Sequence, residues 1–202
     1  MDQWEKRQQY WFVIQQLTAR ELKRKYARSA LGILWSVLNP LLSMAVLSLI
    51  FSQMFRRSIE NYPIYYLTGY LLWQAFTGTT NSAMTTLADN RSLLLKVKFP
   101  MELFILTRGF TALVNLGYSF AAYGVMLVVF QVPASWPVVF ALPVVAFLFL
   151  FSLGVSYALA AAYVFFGDVK HLYSVVLTLW MYCSGIFYPV DQLSGPIRQV
   201  VE

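Results

Sequence analysis

A cluster of cations near the start of the chain is the strongest chemical feature of the sequence. It is followed directly by an uncharged stretch, 29–55. A charged side chain at the centre of a bilayer costs about 2.5 to 3.5 kcal/mol on insertion scales, so this junction must lie at a membrane surface. Cations concentrate on the cytoplasmic side, so the first span runs outward from the cytoplasm. The cluster consists of Arg20, Lys23, Arg24, Lys25 and Arg28.

The groups that usually perform acid–base, metal or covalent chemistry are scarce. No carboxylate lies in the middle of an apolar stretch, where ion-coupled transporters usually need one to bind the ion. Asp168 is isolated from other carboxylates, and His171 is the only histidine. A lone Cys183 excludes an intrachain disulfide and a cysteine metal cluster. All carboxylates fall in loops or termini: Asp2, Glu5, Glu21, Glu60, Asp89, Glu102, Asp168, Asp191 and Glu202.

The sequence also lacks the nucleotide-binding loop Gly-x-x-x-x-Gly-Lys-Ser/Thr, which cradles ATP phosphates. We therefore expect no cofactor on this chain. If the protein moves a solute, we expect its energy to come from a partner protein.

Composition places the chain in the membrane class. Hydrophobic residues make up 59% of the 202 residues and charged residues 12%, whereas about 25% of an ordinary soluble domain is charged. A helix needs about 20 apolar residues to cross a bilayer, so the uncharged run 109–167 must hold two crossings. We predict an all-α integral membrane protein with five transmembrane helices: 31–55, 64–86, 106–130, 138–165 and 172–189.

Basic residues are distributed unequally between the two sides of these spans. With the N-terminus in the cytoplasm, twelve Lys and Arg residues fall on the inner side and three on the outer side, as the positive-inside rule requires. The net charge of +6 therefore fits an anionic inner leaflet rather than nucleic acid. We expect a single domain over 1–202, with a cytoplasmic interfacial helix (1–30), transmembrane helices (31–190) and an extracytoplasmic tail (191–202).

The segment before the first span has the pattern of an amphipathic helix. At about 100° per residue, Trp11, Ile14, Thr18 and Leu22 share one face, and Arg20 and Lys23 lie away from it. This pattern predicts a helix lying in the membrane interface. The alternative is a plain positive-inside flank that is also helical.

The second span carries an unusual row of aromatic and polar side chains: Tyr66, Tyr70, Trp73, Thr77, Thr80, Asn81 and Thr85. Polar groups facing lipid are costly, so this face should meet protein or a water-filled path. Aromatic rings beside hydroxyl groups suit a sugar chain. The alternative is an aromatic belt with helix–helix hydrogen bonds.

Small residues recur at four-residue spacing in the fourth span and let helix backbones approach closely. They predict packing within the chain, with a dimer seam as the alternative. The two sets are Ser152, Ser156 and Ala160, and Gly154, Ala158 and Ala162.

The inner loop after the second span has the pattern of a short amphipathic helix. Asn90 can cap it, Leu93 to Leu95 supply an apolar side, and Lys96 supplies charge. Pro100 can open the helix that follows. A short helix of this kind at the cytoplasmic surface lies on lipid or docks into a groove of a soluble protein.

Two stretches of the sequence resemble the permease subunits of ABC-type exporters of bacterial cell-surface polysaccharides, which export O-antigen, capsule or teichoic acid. The first runs from Leu22 to Tyr26 and continues with Ser29, Leu31-Gly32, Trp35 and Pro40. The second is Asn90 followed by Leu93 to Pro100. Weaker likeness comes from Gly167 to Val169 and from Ser184 to Pro189.

The resemblance implies two permeases paired with two cytoplasmic ATPase subunits that carry MgATP, in the cytoplasmic (inner) membrane of a bacterium. It also implies a sixth span, which we expect beyond Glu202. The inner loop would be the coupling helix seated on the ATPase, through Asn90, Arg91, Leu94, Lys96, Phe99 and Pro100.

The resemblance further implies that the first helix lies beside a lipid-linked glycan. The residues Arg20, Lys23, Arg24, Tyr26 and Arg28 would then hold the pyrophosphate of its lipid through charge-assisted hydrogen bonds. A glycan path would be lined by Trp35, Tyr66, Tyr70, Trp73, Thr77, Asn81, Tyr182 and Tyr188.

Two other functions fit parts of the sequence. One is a related ABC exporter of drugs or other lipids. The other is a membrane-embedded glycosyl- or acyltransferase, for which the inner surface offers Asp168 and His171.

Overall fold

The computed structural model describes residues 3–27, 29–55, 61–96, 100–133 and 136–188, and these residues form helices and connecting turns without a β-strand. The all-α prediction is therefore confirmed. A short 3-10 helix, Trp136–Phe140, precedes α7. The α-helices are α1 Gln3–Tyr26, α2 Leu34–Phe55, α3 Tyr62–Met84, α4 Thr86–Asp89, α5 Arg91–Lys96, α6 Glu102–Val129, α7 Ala141–Phe165 and α8 Val169–Cys183.

Three stretches of the described residues are long and apolar enough to cross a membrane: Leu34–Phe51, Glu102–Val129 and Val138–Phe165. They match the first, third and fourth predicted spans. The second, α3, is 23 residues long but more polar, and α8 has 15 residues. The number of five spans stays a prediction.

The polar helix α3 is the centre of the fold. It packs most extensively against α7 and α6, and also against α2. Leu67, Leu71 and Phe76 are buried along it. Its hydroxyl groups donate to carbonyls one turn earlier, as in the bond from Thr79 Oγ1 to the carbonyl oxygen of Ala75 (2.7 Å). A helix surrounded by protein, with its hydroxyl groups satisfied internally, tolerates this polarity.

One of the two predicted sets of small residues on α7 lies at a helix contact, whereas Gly154 and Ala158 of the other set are exposed. Ser152, Ser156 and Ala160 are buried on the helix that packs most extensively against α3, as the packing prediction required. On α6, a Cβ added to Gly109 would meet Leu153 at 2.8 Å and Phe149 at 2.9 Å. Glycine thus allows α6 and α7 to approach closely.

Helix α1 lies against α6. Ile14 and Thr18 are buried, and the Trp11 ring packs edge-on against Phe110 of α6 with centroids 5.3 Å apart. The predicted amphipathic face therefore exists and contacts protein. The chain turns into α2 at Gly32, whose φ of +49° favours glycine.

Candidate functional site

A cavity of about 830 Å³ lies between α1, α2, α3 and α6, and the junction of α4 and α5, at Asp89 and Asn90, borders it. The polar and aromatic residues that line it are Arg20, Glu21, Arg24, Lys25, Tyr26, Trp35, Ser36, Asn39, Gln74, Ser82, Asp89, Asn90, Phe104, Thr107, Arg108, Thr111, Asn115 and Ser119. The cavity is large enough for a polar ligand and carries more cationic than acidic side chains.

One wall of the cavity is a polar face of α6 that the sequence analysis missed. Thr107, Thr111, Asn115 and Ser119 recur every four residues, and all four line the cavity. At 1.5 Å per residue this face is about 18 Å long. It crosses an apolar helix, and the helical periodicity used for the second span would have found it.

Both carboxylates of the cavity lining contact one guanidinium group. The Nη1 atom of Arg108 is 3.0 Å from Glu21 Oε2, and its Nη2 atom is 3.9 Å from Asp89 Oδ2. Its Nε donates to Thr86 Oγ1 (3.2 Å), while Thr111 Oγ1 donates to Glu21 (3.3 Å). Burial raises the pKa of the Glu21 carboxyl, and the charge of Arg108 opposes that rise.

A second polar cluster joins the end of α1 to α2 and α6. The Tyr26 hydroxyl donates to Asn115 Oδ1 (2.7 Å) and shares a short hydrogen bond with Ser36 Oγ. Lys25 Nζ donates to the same Asn115 oxygen (3.3 Å). Ser119 Oγ donates to the carbonyl oxygen of Ser36 (3.0 Å). These groups could exchange hydrogen bonds with a polyhydroxylated ligand.

The structure brings part of the predicted cation set to this cavity. Arg20, Arg24 and Tyr26 line it, as does Trp35 from the predicted glycan path. Lys23 is exposed and does not line it, and Arg28 lies outside the described residues. Two further cations, Lys25 and Arg108, line the cavity but were not among the residues predicted to hold the pyrophosphate.

The other aromatic and polar residues of the predicted glycan path lie away from the cavity. Tyr66 is buried in the core and stacks on Phe187. Trp73 contacts Phe76 and Trp180. Helix α3 faces the cavity with Gln74, Gly78 and Ser82. The remaining members are the half-buried Tyr70 and Thr77 and the exposed Asn81.

Two tyrosine hydroxyl groups of α3 donate hydrogen bonds that hold the chain after α8 against α3. Tyr62 donates to the carbonyl oxygen of Phe187 (2.9 Å). Tyr65 donates to Gly185 (2.5 Å), and Tyr188 donates to the carbonyl oxygen of Tyr182 (2.5 Å). In this arrangement the Tyr188 hydroxyl is bonded to protein, whereas the Tyr182 side chain is exposed.

The predicted coupling segment forms the short helices α4 and α5. Asn90 lies between them, and its amide donates to the carbonyl oxygen of Thr86 (2.8 Å), so its side chain closes α4. On α5, Leu94 is half-buried, whereas Leu95 and Lys96 are exposed. The exposed α5 face consists of Arg91, Ser92, Leu95 and Lys96. Pro100 lies just before α6, and Phe99 lies outside the described residues.

The residues considered for a transferase are exposed at the start of α8. Asp168 is the residue before the helix, and His171 follows within its first turn. In the described part of the chain, no three His, Cys, Asp or Glu side chains are close enough to hold a metal ion. Among the described residues that line the cavity, the carboxylates are those of Glu21 and Asp89, and both contact Arg108.

Comparison with known proteins gives one family and several relatives. The family described as "ABC-2 type transporter" matches residues 13–201. The O-antigen export system permease protein RfbA of Myxococcus xanthus is 36% identical over 92% of this chain and 71% of that protein. A protein of the same name from Klebsiella pneumoniae is 29% identical over 92% and 72%. The capsule polysaccharide export inner-membrane protein CtrC of Neisseria meningitidis is 25% identical over 94% and 72%.

Proposed function

Because this chain belongs to the ABC-2 type transporter family, we propose that it is the permease subunit of an ABC exporter of a lipid-linked cell-surface polysaccharide. The relatives named above are permeases for O-antigen or capsule export. The observation that carries the proposal is the cationic cavity beside α1, because an anionic lipid headgroup with sugars attached needs cations next to hydroxyl and amide groups.

The cavity offers both kinds of group in adjacent places. Arg20 and Arg24 lie on α1 at the cavity wall, where they, Lys25 and Arg108 outnumber the two lining carboxylates, Glu21 and Asp89, both of which contact Arg108. The α1 cations are therefore left to attract an anion such as a pyrophosphate through charge-assisted hydrogen bonds. The polar face of α6 and the Trp35 ring would then receive the first sugars, since rings pack on sugar faces.

Energy would come from a cytoplasmic ATPase subunit that carries MgATP. The exposed α5 face presents one large apolar side chain, Leu95, among polar neighbours. A short helix with this face fits a groove on a soluble subunit. ATP-driven movement of that subunit would reach the cavity through α4 and α5.

The proposal places the protein in the bacterial cytoplasmic membrane with its N-terminus inside. We further propose that two copies pair with two ATPase subunits, so that the glycan passes between them. Membrane lipids would cover the exposed apolar surfaces of α2, α7 and α8. Nucleic acid has no part in this function.

Binding of a short-chain prenyl pyrophosphate to the detergent-solubilised protein tests the site. Arg24→Gln should weaken binding roughly 10- to 150-fold, because hydrogen bonds to charged groups contribute about 1.5–3 kcal/mol. Arg7→Gln is the matched control, because it removes an exposed cation of α1 away from the cavity, and it should leave binding unchanged. If the prenyl alcohol without phosphate bound equally well, or if the Arg24→Gln protein bound normally, the assignment of the cavity would be wrong.

A further inference from the structure

Arg108 contacts two parts of the protein that are remote in sequence. On one side it pairs with Glu21 of α1 at 3.0 Å. On the other side it donates to Thr86 Oγ1 at 3.2 Å and lies 3.9 Å from Asp89, and both of these residues belong to α4. Arg108 itself is on the second turn of α6. One side chain thus connects three helices.

The α4 side of this contact continues directly into the coupling segment. Thr86 is fully buried, and its carbonyl oxygen accepts the Asn90 amide at 2.8 Å. Asn90 in turn accepts the backbone N–H groups of Leu93 and Leu94 on its own carbonyl oxygen (2.9 and 3.0 Å). Backbone and side-chain hydrogen bonds therefore link α5 to Thr86, the residue whose hydroxyl group accepts from Arg108.

The α1 side of the contact ends at the cavity. Glu21 is next to Arg20 in sequence and three residues before Arg24, and all three line the cavity. Thr111 of α6 holds the same carboxylate at 3.3 Å. Displacement of Glu21 must therefore also displace the cations that face the ligand.

We propose that Arg108 is a positioning residue that transmits movement of the α4–α5 segment to α1 and so couples ATP hydrolysis to the cationic wall of the cavity. The inference rests on the proposed function. Its physical basis is the planar guanidinium group, whose fixed donors can hold a carboxylate of α1 and oxygens of α4 at the same time. Arg108 does not need to touch the transported ligand for this role.

The test compares export with ATP hydrolysis in proteoliposomes that contain the protein and its ATPase subunit. Arg108→Gln should keep the ATPase bound and hydrolysing, but glycan exported per ATP hydrolysed should fall about tenfold. Arg108→Lys should recover only part of the loss, because an ammonium group lacks the fork geometry. Lys170→Gln, which removes an exposed cation at the start of α8, is the matched control and should leave the ratio unchanged.

A double-mutant cycle separates coupling from a general structural role. Glu21→Gln should also lower the ratio, and the double variant Glu21→Gln/Arg108→Gln should be no worse than Arg108→Gln alone, because both changes break one contact. If the Arg108→Gln protein does not assemble with the ATPase subunit, the amount of glycan exported per ATP by the Glu21→Gln protein alone tests the inference. An unchanged ratio in the assembled variants, or fully additive losses, would overturn the inference.

The same experiment separates this inference from the proposed function. If the natural protein bound no ATPase and exported no glycan, the proposed function would fail and the inference with it. If the natural protein exported glycan and Arg108→Gln did so at the same ratio, only the inference would fail.

Discussion

The sharpest prediction concerns Leu95, the large apolar side chain on the exposed α5 face. Its side chain is 79% exposed, in a segment that the proposed function seats on an ATPase subunit. Complete burial of a leucine contributes about 1.5–3 kcal/mol. Burial of the exposed four-fifths would then contribute about 1.2–2.4 kcal/mol to the complex. At about 1.4 kcal/mol per factor of ten, Leu95→Asp should raise the Kd for the ATPase roughly 7- to 50-fold.

The measurement is a titration of the detergent-solubilised protein with the purified ATPase subunit. The burial estimate is a lower bound for Leu95→Asp, because a buried carboxylate without a partner adds its own desolvation cost. Leu95→Met is the matched control, since it keeps the apolar area at a similar volume and should bind normally. Leu94 is less suitable for this test because it is half-buried within the protein.

A normal Kd for Leu95→Asp, in a protein that stays folded and inserted, would refute the reasoning. The exposed α5 face would then face lipid or solvent rather than the ATPase. Loss of binding in both Leu95→Asp and Leu95→Met would also contradict it, because the effect would not depend on apolar area.

Three further predictions follow from individual contacts. Gly109→Ala should lower the thermal stability of the purified protein relative to Gly154→Ala, because the new Cβ meets side chains at 2.8–2.9 Å at Gly109 and nothing within 4 Å at Gly154. Tyr173→Phe should lower the free energy of unfolding by about 0.5–1.5 kcal/mol, since it removes the buried 2.7 Å hydrogen bond to Thr80 that joins α8 to α3. An unfolding free energy equal to that of the natural protein would contradict this prediction. Arg108→Gln should raise the pKa of Glu21 further, because burial is then less opposed; carbodiimide, which labels protonated carboxyls, should modify Glu21 at a higher pH than in the natural protein.

The fold class could be predicted from the sequence because it depends on local patterns. Uncharged runs located the long apolar helices, and the periodicity of Ile14 and Thr18 located the buried face of α1. The short helix after Asn90 could be predicted in the same way, from its apolar and charged sides, while its coupling role stays a prediction. Within its predicted apolar side, Leu93 and Leu94 are half-buried and Leu95 is exposed.

The cavity could not be predicted as a whole, because contacts between distant segments define it. Glu21 and Arg108 were counted as ordinary inner-surface charges, and nothing in either local sequence indicates that they pair at 3.0 Å. The polar face of α6 was hidden for a different reason. One polar residue per turn barely changes the average hydropathy of a helix whose other positions are apolar.

The polarity of α3 could be predicted from the sequence, whereas the glycan path along it stays a prediction. Side chains such as Thr77 were expected to face a ligand path. The Thr77 hydroxyl donates to the carbonyl oxygen of Trp73 at 2.9 Å, and the helix turns Gln74 and Ser82 towards the cavity instead. Which face of a helix meets a cavity is decided by its neighbours, here α6 and α7.

The central claim is that this protein exports a lipid-linked polysaccharide with the energy of a separate ATPase. The most direct measurement reconstitutes the protein and its ATPase subunit in proteoliposomes, adds a lipid-linked glycan to the ATPase side, and follows glycan on the opposite side with a lectin. The account predicts glycan on the opposite side only with hydrolysable ATP and with both subunits present. A complex that assembles and hydrolyses ATP but never moves the glycan would contradict it.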